Sequence, residues 1–515
     1  MWKSIKIHWI SFIFICLLAS GLLVSLQYAR GDHFPDPDGF YHAKASQLLQ
    51  QGKLSNHFPW SYYSTWKDGY ADQHYVYHWL IVPFNTINVL SWSVVVFGLV
   101  FTLAFYGLLI VLRVVGKPVW IFVVLLGSVD FLFRINLVKA NTLSLALLCA
   151  IAALAYLWHY CKSLPARWML IVCIALISGV FTWTYGGFVC VPLFLGAYCI
   201  SASLYKKRIV ITPLLASLLG IFLGLVSHPH SSNLLSLMYD QLFLTGLGAG
   251  SKVPAGNEWL PFEISWFIKS NILIIVFWVL SLFLTLQKLL GKREFIWEGL
   301  WFQIVSCGFL FLALWHRRFI EYWIPFAVVS TAITFTPYLL KLRWQNFWAA
   351  CKAYWQFQLL VILFLLATLA VVNFNLKHTI AALRNGGSGV EFKAASQYMA
   401  EHSQDGDIIF NTQWDQLPQL FYWNSKDYYI VGLDPTFMYI HNQDLYWKWR
   451  TVVDDADQKW GSMVEVKNTM QQDFHARYVF IEKDRNPNLY HDLSQPGSGF
   501  GLEYESEDVA VFGLN

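Results

Sequence analysis

The sequence predicts an α-helical polytopic membrane protein with about eleven transmembrane helices, up to thirteen, and a C-terminal extracytoplasmic α/β domain. Three observations carry this. The 515 residues are 56% hydrophobic and 18% aromatic with only 13% charged, too few charges for the surface of a soluble enzyme of this size. Apolar runs long enough to cross the bilayer as helix recur through the first three quarters of the chain. Lysine and arginine fall in alternate loops between those runs.

The runs lie near 9–29, 91–112, 118–137, 141–159, 168–185, 187–204, 209–227, 266–287, 297–315, 319–340 and 354–375. The first follows Lys3 and Lys6 but is longer than a signal-peptide core and has no clear cleavage site, so it reads as a retained anchor. With that end cytoplasmic, each second loop is basic: Arg113 and Lys117, Lys162 and Arg167, Lys206 to Arg208, Lys288 with Lys292 and Arg293, and Lys341, Arg343 and Lys352. An odd number of spans then puts everything after Phe374 outside. The expected address is a multi-pass membrane, most simply a bacterial inner membrane with the C-terminal domain in the periplasm. The formal net charge of +4 is accounted for by these loops and argues for no nucleic-acid partner.

The expected organisation is a transmembrane domain over 1–375, with external loops at 30–75 and 228–264, a linker over 376–390, and an α/β domain over 391–515. Arg384-Asn385-Gly386-Gly387-Ser388-Gly389 is flexible by composition. Beyond it, 391–402 reads as a helix, and 407–410, 428–431, 477–481 and 509–512 read as strands of β-branched and aromatic residues. None of the 8 cysteines lies beyond Asn373, so the external domain can have no disulfide and no cysteine-based zinc site.

Sorted by side, the polar residues concentrate outside. A transporter would carry paired ionisable groups near the bilayer midplane, and these spans are almost free of them. The first external loop holds Asp36 and Asp38 in Asp36-Pro37-Asp38-Gly39-Phe40-Tyr41-His42. Asp38 suits a cap for the helix predicted to follow, which does not explain Asp36. Two carboxylates this close can instead share a divalent cation, or divide the roles of base and orienting group. Arg317 and Arg318, beside Glu321 and Tyr322, sit at an external helix junction where the positive-inside tendency disfavours arginine. They are either snorkelling anchors or a fork-shaped pair for a phosphate.

Asp130 and Arg134 have the spacing of an intrahelical ion pair, with Arg134 also able to face a lipid phosphate. His74 and His78 share that spacing and are interfacial or metal-ligating residues. Glu258 lies in a long external loop, a length that usually has a task. The aromatic residues Trp60, Tyr62, Tyr63 and Trp66 suit the headgroup level or a sugar face.

Together, the acidic pair with its Phe40-Tyr41-His42, the segment Trp183-Thr184-Tyr185-Gly186-Gly187-Phe188, the Arg317-Arg318-Phe319 junction and the terminal α/β domain resemble the GT-C superfamily of polyprenyl-linked glycosyltransferases. Within it the layout is similar to relatives of the oligosaccharyltransferase catalytic subunit. That family's Trp-Trp-Asp-Tyr-Gly signature is represented here only by Trp414 and Asp415 in Gln413-Trp414-Asp415-Gln416-Leu417. The resemblance implies an inverting glycosyltransferase moving a sugar or glycan from a polyprenyl phosphate or diphosphate carrier to a glycan, lipid or protein acceptor at the extracytoplasmic face. It implies Asp36 or Asp38 as base, and Arg317 and Arg318, with Arg134, on the leaving phosphate. Trp414 and Asp415 would bind substrate. Asp36, Asp38 and Glu258 are the expected ligands for an optional Mg2+ or Mn2+. Protein N-glycosylation, and a lipid-linked glycan flippase or assembly protein, are the competing readings.

Overall fold

The computed structural model describes residues 2–246, 253, 256–291, 296–456 and 460–514, with the side chains of 2–9 and of 344 left aside. Lys292 and Arg293, expected in a basic loop, lie outside the described residues, as does part of the second external loop. The chain forms two compact units. One comprises Met1–Gly31, Trp92–His228 and Glu258–Arg384; the other comprises Asp32–Ser91, Pro229–Asn257 and Asn385–Asn515.

Each predicted apolar run of the first unit is helical. Among the described residues, 9 helices are individually long and apolar enough to cross a membrane. The runs at 118–137 and 209–227 give shorter helices, which accounts for the difference from eleven. The former breaks at Gly127 into Lys117–Leu126 and Val129–Arg134, the second helix starting where Ser128 Oγ accepts the Phe131 amide at 3.1 Å. The latter gives Thr212–Ser227. The last helix, Trp355–Arg384, continues past its expected end into the predicted linker.

Small residues bring two of these helices together. Gly220 and Gly224 repeat at the four-residue spacing that lets membrane helices approach closely, and they face the Leu164–Thr182 helix. A Cβ on Gly220 would lie 2.0 Å from the Ala175 carbonyl oxygen, and one on Gly224 would lie 2.7 Å from that of Gly179. The contact fixes the segment that follows, because Trp183 Nε1 donates to the Gly224 carbonyl at 2.7 Å. Helix packing thereby places the Trp183–Phe188 turn.

The second unit is built on a mixed sheet of five strands. Strands β1 (His33–Phe34) and β2 (Gly387–Ser388) pair antiparallel with each other, so the glycine-rich segment expected to be a flexible linker is partly strand. The sheet proper contains β3 (Ile408–Asn411), β4 (Tyr428–Tyr429), β5 (Ala476–Glu482), β6 (Gly501–Glu505) and β7 (Val509–Gly513) in the order β4-β3-β5-β7-β6. β3 runs parallel to β4 and β5, and β7 runs antiparallel to β5 and β6. β3 and β7 are buried along their whole length, as continuous apolar strands covered on both faces must be. β6 was not predicted: it is an edge strand whose Glu503 and Glu505 obscure the apolar pattern. The first loop reaches the opposite edge, where the Tyr62 amide donates to the Tyr429 carbonyl at 2.8 Å and the Tyr429 amide to that of Trp60 at 3.1 Å.

Candidate active site

In the first unit the structure gathers a charge cluster, buried at Glu321 and Arg134 and half-buried at Lys139, Glu258 and Arg318, at the start of the Ile320–Lys341 helix. Glu321 is fully buried there. Its carboxylate accepts from Arg134 Nε at 2.7 Å and from Asn141 Nδ2 at 2.9 Å. Arg134 also donates to Glu258 at 3.2 Å. Glu258 is shared with Arg318 at 3.4 Å and with Lys139 at 3.8 Å. Burial alone would raise the Glu258 carboxyl, but Lys139, Arg318 and Arg134 outweigh it and hold the group well below the usual carboxylate range.

The glycine turn completes this cluster. Arg318 donates to the Tyr185 hydroxyl at 3.0 Å and lies over the Trp259 ring, 4.3 Å from its centre. The Tyr322 and Ser144 hydroxyls are 3.3 Å apart. Gly187 is required by close approach: a Cβ there would sit 2.3 Å from the Tyr322 hydroxyl and 2.7 Å from the Tyr185 ring. Three cationic side chains, Arg134, Lys139 and Arg318, thus converge on Glu258.

Several expectations change in detail. Arg317 and Arg318 do not act as a pair: Arg317 Nε donates to the Pro261 carbonyl at 2.9 Å and tethers the loop, while Arg318 alone enters the cluster. Arg134 turns to Glu321 and Glu258 instead of pairing with Asp130. Asp130 accepts from Ser270 Oγ at 2.9 Å and Trp266 Nε1 at 3.2 Å. Glu258, expected as a metal ligand, faces three cations, an environment for an ion pair and not for a divalent ion. Lys139 and Asn141 were not singled out from the sequence, and Tyr185 only as part of the glycine turn. Lys139 carried the one available signal, a lysine between apolar runs on the side where lysine is disfavoured.

In the second unit, the Asp38–Gln50 helix begins at the second member of the acidic pair. Asp38 is not the cap expected: the N-cap position is Pro37, Asp38 occupies the helix's first turn, and Asp36 Oδ1 accepts the Asp38 amide at 2.9 Å in an Asx turn. This helix packs against Leu417–Trp423 through Phe40 and Tyr422, with ring centres 5.6 Å apart. Trp414 and Asp415 stand in the turn between β3 and Leu417–Trp423. Asp415 accepts from Arg485 at 2.7 Å, beyond the end of β5. Both therefore sit at the C-terminal ends of parallel strands, where open α/β sheets bind ligands.

His74 and His78 are brought together with a third imidazole, His42; one ligand nitrogen from each lies within 4.8 Å of the others. Three converging imidazoles fit a divalent metal, whereas the acid pair offers a carboxylate already engaged in its own turn. A metal held there would supply a fixed positive charge beside the acidic loop.

No family model and no curated protein matches the sequence, but the fold has solved counterparts. The archaeal oligosaccharyltransferase AglB from Archaeoglobus fulgidus, in complex with an inhibitory peptide and a dolichol-phosphate, is similar over 99% of this chain and 74% of its own, with a TM-score of 0.66 at 13% identity. The same organism's oligosaccharyltransferase in complex with Zn and sulfate gives a TM-score of 0.60 at 11% identity, covering 97% of this chain and 73% of its own. ArnT from Cupriavidus metallidurans bound to undecaprenyl phosphate matches 97% of this chain and 98% of its own, with a TM-score of 0.55 at 13% identity. The fold is thus similar to that of these solved structures, the GT-C-like fold expected from the sequence, in a multi-pass membrane protein distantly similar to oligosaccharyltransferase catalytic subunits.

Proposed function

We propose that the protein is an inverting membrane glycosyltransferase, taking a sugar or glycan from a polyprenyl phosphate or diphosphate at the extracytoplasmic face. The carrying observation is the gathering of Arg134, Lys139 and Arg318 around Glu258, with the Tyr185 hydroxyl held on Arg318. The fold relatives in complex with dolichol-phosphate and undecaprenyl phosphate support the reading.

The leaving group is an ionised phosphate ester and needs no proton. Its departure is limited by charge developing on the bridging oxygen, and preorganised guanidinium and hydroxyl donors are the effective means of stabilising that charge. Arg318 and Tyr185 are assigned this role, with Arg134 held in place by Glu321. The acceptor oxygen attacks the anomeric carbon as the bond from that carbon to the phosphate oxygen breaks. The acceptor's proton passes to Asp38, and configuration inverts. Asp36 holds the turn that presents Asp38. Trp414 and Asp415 belong to the acceptor side in this reading. The basic alternate loops support a cytoplasmic N-terminus and an extracytoplasmic second unit.

The test is sugar transfer from polyprenyl-phosphate donors by the full chain in lipid nanodiscs. Transfer by wild type and its loss in Asp38→Asn, with carrier binding retained, is expected. Movement of the intact glycolipid across a vesicle membrane with no bond broken would overturn the reading in favour of a flippase.

A further inference from the structure

We infer that His42, His74 and His78 form a zinc-class metal site in the first external loop, built independently of the phosphate cluster. His78 Nδ1 lies 2.7 Å from Asp72 Oδ2, and both side chains are fully buried. With Nδ1 donating to the carboxylate, the imidazole presents Nε2 as a lone pair, the carboxylate–histidine arrangement that orients metal ligands. His42 Nδ1 lies 2.9 Å from that same Nε2. Tetrahedral ligands with bonds of about 2.0–2.1 Å stand roughly 3.3 Å apart, so an ion entering here need part the two nitrogens by only a few tenths of an ångström.

His74 is the more exposed member, and one of its ring nitrogens lies within 4.8 Å of the other two ligand atoms. Its ring stands at 89° to that of His42, with centres 4.9 Å apart. The backbone is fixed for the purpose. Asp72 Oδ1 accepts the His74 amide at 2.9 Å, and the Asp72 amide donates to His230 Nδ1 at 2.9 Å. One carboxylate thus orients His78 through its ring and His74 through its backbone. Tyr77, fully buried, stands against His42 with ring centres 5.2 Å apart and limits access from that side.

Imidazole ligands select zinc, cobalt, nickel or copper over Mg2+ or Mn2+, which prefer oxygen. Three protein ligands with a less buried third leave room for a water or a substrate oxygen. His42 follows Asp38 by four residues on one helix, so the two share a face. An ion on His42 therefore fixes the helix that begins with the acidic pair.

The test is metal content and affinity of the full chain purified in detergent, without reference to transfer. After equilibration with Zn2+ and removal of the excess, wild type should hold about one zinc per chain, and Co2+ in its place should give a visible ligand-field spectrum. His74→Ala, at the half-buried position, should weaken zinc at least about tenfold, and Asp72→Asn by about 10–100-fold. Asp38→Asn should leave the zinc content unchanged. Less than about a tenth of an equivalent in folded wild type would overturn the site. So would zinc retained in His74→Ala but lost in Asp38→Asn, which would put the ion on the acidic pair. Absence of zinc combined with full transferase activity would leave an Asp72–His78–His42 hydrogen-bonded chain as the cluster's whole role.

Discussion

The Arg318 guanidinium donates to the Tyr185 hydroxyl at 3.0 Å, across 133 residues of sequence. That bond joins the Arg317-Arg318 junction to the glycine turn, two of the sequence features that resemble the GT-C enzymes. It also separates Arg318 from Arg317, which is spent on the Pro261 carbonyl.

Arg318→Ala should therefore weaken binding of undecaprenyl phosphate about 10–100-fold, the worth of one charge-assisted hydrogen bond to an anion. Arg317→Ala should change it by less than about threefold. Titration of the lipid into nanodisc-embedded protein distinguishes the two, and equal losses would refute the division of labour between neighbouring arginines.

The acidic pair should divide in the same manner. Asp38→Asn should lower turnover by at least about 100-fold with carrier binding intact, as removal of a general base does. Asp36→Asn retains an oxygen that can accept the Asp38 amide, so it should keep most of the activity, while Asp36→Ala should lose the turn. Single-turnover rates for the three variants check this.

Gly187 has no room for a side chain. Gly187→Ala should cost about 1–3 kcal/mol through displacement of Tyr185 and Tyr322, and should reduce carrier affinity along with thermal stability. An alanine variant with unchanged melting and unchanged lipid binding would show that the turn yields easily.

Glu391 offers a pH test in the second unit. Burial, and next the nearby Glu482, push its carboxyl up to about 7, although it accepts the Ser388 amide. The folded state thus binds this proton more tightly than the unfolded chain. Its contribution to stability is complete below the ordinary glutamate range, is lost as pH rises toward 7, and is absent above it. Glu391→Gln should accordingly flatten the stability profile between about pH 4.5 and 7 and stabilise the protein at pH 8, measured by thermal melts in buffers of matched ionic strength.

Much of the architecture was legible because hydrocarbon imposes a simple rule: a run such as 266–287 must be helix to satisfy its backbone. Breaks inside a run were not legible, since Gly127 and Ser128 are ordinary residues in membrane helices. Strands β3, β5 and β7 announced themselves by apolar content, whereas β6 and the two-residue pairing of β1 with β2 depend on partners far away in sequence. The site was visible as residues and not as pairings. Arg134 looked like a partner for Asp130 because only local spacing can be read from a sequence. Glu321, 187 residues distant, is its actual partner. The third imidazole escaped notice for the same reason: His42 belongs with His74 and His78 only once the loop is folded.

The main-chain bonds that Trp60 and Tyr62 make with Tyr429 bear on how the C-terminal segment can be studied. Expressed from residue 391 onward, the segment would lack the stretch that finishes its sheet beside β4, leaving unsatisfied amides and carbonyls open to any passing strand. An excised fragment is therefore expected to self-associate, and binding work on this part of the molecule calls for the uncut polypeptide.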